Sequence, residues 1–175
     1  MIRIFLIGFM GCGKTTLGRA YAKEMGLSFV DLDWYIEERF HTSIQQLFSE
    51  RGEEAFRKIE QRMLHEVAEF ENVVIACGGG TPCFYDNMVY MNLQGTTVFL
   101  DTSTPTLLRR LKLAQSSRPL LAGKTEEELL QYILTTLEKR MPYYKQVKLK
   151  INADYLESRK QIATAVATLK NALEQ

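Results

Sequence analysis

Apolar residues along this chain follow two rhythms. Short runs rich in β-branched and aromatic residues, at 3–7, 28–32, 73–76, 97–100 and 147–151, read as strands. Between them, apolar positions recur at helical spacing over 14–25, 33–39, 44–50, 53–69, 106–113, 126–139 and 159–173. Alternating β and α segments predict a parallel sheet with helices on both faces. Such sheets take their ligands beyond the carboxyl ends of the strands. The chemically expressive residues fall there. Gly8 follows the first strand, Asp31 and Asp33 close the second, and Gly78-Gly79-Gly80 follow the third. No repeat, linker or low-complexity tract interrupts the pattern, so one domain over residues 1–175 is expected.

The strongest local signal is Gly8-Phe9-Met10-Gly11-Cys12-Gly13-Lys14-Thr15, which satisfies the phosphate-loop template G-x-x-x-x-G-K-[ST]. Loop glycines let backbone N–H groups converge on phosphate oxygens, and the following helix adds the positive end of its dipole. Lys14 then reaches the terminal phosphates and the Thr15 hydroxyl faces a Mg²⁺ ion. The motif lies between a strand and an amphipathic helix, as that mechanism requires. It identifies a bound nucleotide without naming the reaction.

Other residues narrow the chemistry. In Asp31-Leu32-Asp33, an extended chain would aim both carboxylates to one side, one for a metal and one for an attacking hydroxyl. Asp33 as the N-cap of a helix starting at Trp34 is the plainer alternative, and Asp101 is a rival acid at another strand end. Three consecutive glycines after a buried strand suit close approach of a ligand or a backbone. Arg57 with Glu60 reads, on spacing alone, as an i,i+3 surface pair, and Arg140 is equally unremarked. Residues 114–124 hold Arg118 before Pro119, a polar loop that either closes over phosphates or is simply a surface loop.

Composition excludes more than it suggests. Twenty-two basic residues against 21 acidic ones leave a net charge of +1, which offers no bulk attraction for nucleic acid or membrane. The apolar start at 4–7 ends at Gly8, too short for a targeting segment or a membrane span. Cys12, Cys77 and Cys83 lack zinc-site spacing, and a reduced cytoplasmic protein is expected. His41 and His65 suggest neither a triad nor a metal site.

Taken in order, the phosphate loop, Asp31-Leu32-Asp33, Phe56-Arg57 with Glu60, Gly78-Gly79-Gly80, Arg118-Pro119-Leu120-Leu121 and Arg140 with Tyr144 resemble the shikimate kinases. The resemblance runs from the first strand to about Tyr144. It implies a three-layer P-loop fold like that of nucleoside monophosphate kinases, with a five-stranded parallel sheet. It implies transfer of the γ-phosphoryl of ATP to the 3-hydroxyl of shikimate, with one Mg²⁺ per site. On this chain, Gly11, Cys12, Gly13, Lys14, Thr15, Thr16, Arg110 and Arg118 would hold ATP. Asp33, Arg57, Gly79, Gly80 and Arg140 would hold shikimate, and Thr15 with Asp31 would face the metal. Lys14, Asp33 and Arg118 would be catalytic, within a substrate region at about 31–61 and a lid at about 112–124. The turn Ile151-Asn152-Ala153 is a candidate border for the adenine. A monomer acting on two small molecules is the expectation. The rivals are a gluconate- or nucleotide-type kinase and a nucleotide-dependent switch, although the N-K-x-D segment of a GTPase is missing.

Overall fold

The structure is a computed structural model, and it describes residues 1–174. Five parallel strands form one sheet: β1 (Arg3–Ile7), β2 (Ser28–Asp31), β3 (Val73–Ala76), β4 (Thr96–Asp101) and β5 (Leu149–Asn152). Their spatial order is β2-β3-β1-β4-β5, so β1 is central and pairs with β3 on one side and β4 on the other. Among the described residues, seven α-helices connect and cover them: α1 (Lys14–Met25), α2 (Leu32–Phe40), α3 (Ile44–Ala68), α4 (Asn87–Gln94), α5 (Thr104–Leu113), α6 (Glu126–Tyr144) and α7 (Arg159–Leu173). None is long and apolar enough to cross a membrane, among the described residues.

Strand alternation divides the core in two. Ile4 and Leu6 of β1 face a cluster with Leu17, Leu107, Leu111 and Leu169, while Phe5 and Ile7 face Ile36, Phe56, Met63 and Met91. A strand covered on both faces needs a continuous apolar run, which is why β1 and β3 show no polar alternation.

Several boundaries differ from the sequence reading. The expected helices at 44–50 and 53–69 form one helical run broken at Gly52, whose φ of 78° and ψ of 170° are not helical. Helix α6 runs to Tyr144 rather than 139, because Pro142 falls in its last turns and does not end it. Strand β5 starts two residues later than expected and ends at Asn152. Helix α4 has no counterpart in the periodicity reading. In Asn-Met-Val-Tyr-Met-Asn-Leu-Gln the apolar residues form no single stripe, since Met88 and Met91 are buried while Val89 and Leu93 are exposed.

Candidate active site

The carboxyl ends of β1, β2 and β3 open onto a cleft of about 510 Å³, lined by the phosphate loop, Asp31, Asp33, Gly78, Gly79, Arg110 and Arg118. Loop conformation explains its glycines at one position above all. Gly13 caps α1 with φ 100°, and a Cβ there would lie 2.3 Å from the Leu156 side chain. The Lys14 ammonium folds back over the loop, donating to Gly8 O at 2.7 Å and Phe9 O at 3.1 Å. Thr16, in the first turn of α1, lines the same cleft.

Arg110 clasps this loop to the far end of the chain. Its Nη1 donates to Gly11 O and Cys12 O at 3.3 and 3.4 Å, and its Nη2 to Ala153 O and Asp154 O at 3.0 Å each. The turn after β5 and the phosphate loop therefore meet on one guanidinium.

The two aspartates divide their work differently from the extended-chain expectation. Helix α2 begins at Leu32, so Asp31 is its N-cap, accepting from the N–H groups of Asp33 and Trp34 at 3.1 and 3.3 Å. Asp33 is already in the first turn and is not the cap. The second Asp31 oxygen, Oδ2, accepts from the Thr15 hydroxyl at 3.0 Å. Asp33 is left to face Gly78, where an added Cβ would meet its Oδ1 at 3.0 Å. Burial, reinforced by the neighbouring charges of Asp31 and Glu60 and opposed by Lys14, pushes its pKa from 3.8 to about 6. Asp101, the rival acid, pairs with Lys150 at 2.8 Å and does not line the cleft.

Beyond Gly79 the site turns strongly cationic. Arg57 donates to Glu60 at 2.8 Å and lies over the Phe84 ring at 4.0 Å. A Cβ on Gly80 would meet the Arg57 guanidinium at 2.8 Å, and one on Gly79 would meet Arg140 Nη1 at 2.7 Å. The two arginines thus flank consecutive glycines, one against each. Arg57 Nε and Arg140 Nη1 are buried with no hydrogen-bond partner among the described residues. Buried unpaired donors on two cations call for an anionic acceptor. Arg57, Gly80 and Arg140 do not line the large cleft itself but adjoin it through Gly79.

The surface-pair reading of Arg57 and Glu60 fails. Glu60 is 1% exposed and accepts a second bond, at 2.8 Å, from the Thr81 hydroxyl. A signal was present in the sequence: Glu60 falls on the apolar stripe of Phe56, Met63, Leu64 and Val67, where a carboxylate is out of place unless paired. Thr81, the first residue past the glycines, offered no such signal.

The family model for shikimate kinase matches residues 10–170. The chain belongs to the shikimate kinase family. A shikimate kinase of Phocaeicola vulgatus is 58% identical over 175 residues, covering all of both chains. The crystal structure of the shikimate kinase from Bacteroides thetaiotaomicron superposes with a TM-score of 0.97 at 56% identity, over 99% of each chain. That from Acinetobacter baumannii, solved in complex with shikimate, gives 0.84 at 30% identity, over 99% of this chain and 94% of that one. Shikimate kinases thus share this sheet, its helices and their connectivity.

Proposed function

We propose that this chain phosphorylates the 3-hydroxyl of shikimate with ATP, giving shikimate 3-phosphate and ADP, a step toward the aromatic amino acids. The observation that carries the reading is the pair of buried, unpaired guanidinium donors flanking Gly79 and Gly80. Shikimate is a small ring with one carboxylate and three hydroxyls, and the planar arginine fork matches a carboxylate. Arg57 and Arg140 grip that carboxylate beside the Gly79 and Gly80 backbone. Asp33 accepts from the ring hydroxyls and orients the nucleophile toward the phosphate loop.

At the donor end, Gly11, Cys12, Gly13, Lys14, Thr15 and Thr16 bind the phosphates, Arg118 reaches them from the lid, and Arg110 flanks the adenine. Thr15 and Asp31 offer a hydroxyl and a carboxylate 3.0 Å apart. These hard oxygen donors fit Mg²⁺, and Thr15 and Asp31 would be the residues that hold one such ion. When bound, Mg²⁺ neutralises charge on the β- and γ-phosphates. Lys14 adds positive charge at the transferring group, and Asp33 holds the hydroxyl and takes up its proton. Little covalent help is required, since phosphoryl transfer depends chiefly on positioning and charge.

The reading treats residues 1–175 as one domain, with a substrate region at about 31–61 and a lid at about 112–124. It pictures a cytoplasmic monomer that acts on small molecules and has no nucleic-acid or membrane partner. The test is ADP release with ATP and Mg²⁺ in the presence of shikimate, gluconate or no acceptor. Acceleration by shikimate is expected. Acceleration by gluconate alone, or release indifferent to acceptor, would overturn it.

A further inference from the structure

Tyr144 has no part in the scheme so far, yet it is fully buried at the heart of the cationic end. Its hydroxyl donates to the carbonyl of Gly79 at 2.6 Å, across 65 residues of sequence. It lies one helical turn beyond Arg140 on α6, so the two side chains share a face of that helix. Its ring packs against Phe99 of β4, with centroids 5.2 Å apart, which leaves the phenol little freedom. Burial raises the phenol's pKa well above its ordinary value, against the pull of Arg140, so the group remains a neutral donor throughout the working pH range.

The consequence follows from the planarity of one peptide. The carbonyl of Gly79 and the N–H of Gly80 belong to the same trans unit and point in opposite directions. Fixing the carbonyl toward α6 therefore fixes the N–H toward the other side. Glycine on both sides of the bond gives this peptide little resistance to rotation of its own. The turn's internal bonds run from Thr81 N to Gly78 O and from Cys83 N to Gly80 O, and neither engages the Gly80 N–H. The two residues that this peptide joins are flanked by the two cations, Gly79 by Arg140 and Gly80 by Arg57.

We propose that Tyr144 is a positioning residue for acceptor binding: its hydroxyl sets the Gly79–Gly80 peptide so that the Gly80 N–H joins Arg57 and Arg140 in holding the substrate carboxylate. The inference rests on the shikimate reading above. It makes α6 the source of two aligned elements, Arg140 directly and the peptide N–H through Tyr144.

The test is Tyr144→Phe, which removes one oxygen and keeps the ring. Shikimate KM should rise about tenfold, the amount expected for losing one hydrogen bond to a charged group. ATP KM and kcat should stay within about twofold, in keeping with a loss of acceptor binding alone. The methyl ester of shikimate has no carboxylate charge, so its kcat/KM should fall much less, and discrimination between acid and ester should narrow. Phe99→Leu loosens the same packing without touching the hydroxyl. If it lowers the melting temperature as much as Tyr144→Phe while leaving shikimate KM unchanged, packing is excluded as the cause. An equal rise in KM in Phe99→Leu, an unchanged KM in Tyr144→Phe, or equal losses for acid and ester would overturn the proposal. Assays in a stabilising osmolyte keep Tyr144→Phe folded if its stability is marginal. Shikimate-independent ADP release by the unaltered protein would instead bring down the underlying reading, and this proposal with it.

Discussion

The Asp33 carboxyl lies against Gly78, close to Asp31 and Glu60, with the Lys14 charge opposing theirs. A pKa of about 6 keeps it ionised at neutral pH yet basic enough to receive a hydroxyl proton. The rate should fall as pH drops through about 6, read as an acid limb in the pH profile of kcat/KM for shikimate. Stability runs the other way. Between pH 3.8 and about 6 the native state holds a proton that the unfolded chain has released, so folding is favoured as pH falls through that window. Above it, the ionised carboxylate costs up to about 3 kcal/mol. Asp33→Asn should therefore lower kcat by about 100- to 10,000-fold and raise the melting temperature at pH 7.5, with nucleotide affinity nearly intact. A variant both inactive and less stable would contradict this account. At the carboxylate end, Arg57→Lys should raise shikimate KM with little effect on ATP, because an ammonium cannot keep both the Glu60 bond and a two-pronged grip. Of these residues the sequence disclosed identity and order, but little of their depth. The i,i+3 spacing of Arg57 and Glu60 is the same on a surface as under Thr81 and Phe84, and the one hint of burial was the place of Glu60 on the apolar stripe of α3.

Elements came through with a consistent bias. Long periodic helices and apolar strands were legible because each is selected by burial of one stripe or two faces. Ends were not, because caps and prolines carry double meanings. The sequence offered Asp33 as the cap of α2, and only backbone geometry shows that Asp31 accepts the N–H bonds. Pro142 would ordinarily mark a helix end, yet α6 continues through it to Tyr144. The close approach at the α4–β4 junction was equally hidden. A Cβ on Gly95 would lie 2.4 Å from the Arg3 carbonyl oxygen, a backbone atom that cannot swing aside. Gly95→Ala should thus destabilise the fold by about 1–3 kcal/mol in denaturant unfolding. Thr125→Ala, which removes the capping box at the start of α6, should cost about 1 kcal/mol.

On the scale of the whole molecule, the alternation of elements predicted a parallel sheet, but nothing in it fixed the order β2-β3-β1-β4-β5. Strand order is a property of pairings between distant segments, and hydrophobic rhythm is blind to partner choice. That order brings the phosphate loop, Asp31, Asp33 and the Gly78-Gly79 turn together at the carboxyl end of the sheet. Arg110 binds both the phosphate loop and the turn after β5, so nucleotide should tighten the molecule globally rather than locally. ADP at 100 times its Kd should add about 2.7 kcal/mol to stability, visible as a rise in melting temperature. Arg118→Ala should lower kcat about 10- to 1,000-fold while leaving shikimate binding almost unchanged, since the role proposed for it is to bring charge to the phosphates.

The central place of β1 has one more consequence, for the birth of the chain. Strand β1, Arg-Ile-Phe-Leu-Ile, leaves the ribosome ahead of β2 to β5, and both of its edges are meant for strands not yet made. Its partner on one side begins at Val73 and on the other at Thr96. Throughout that interval the nascent protein carries an apolar segment with two open hydrogen-bonding edges, the kind of sequence that neighbouring chains capture. Its expression should depend on chaperone capacity and translation speed more steeply than its final stability would suggest.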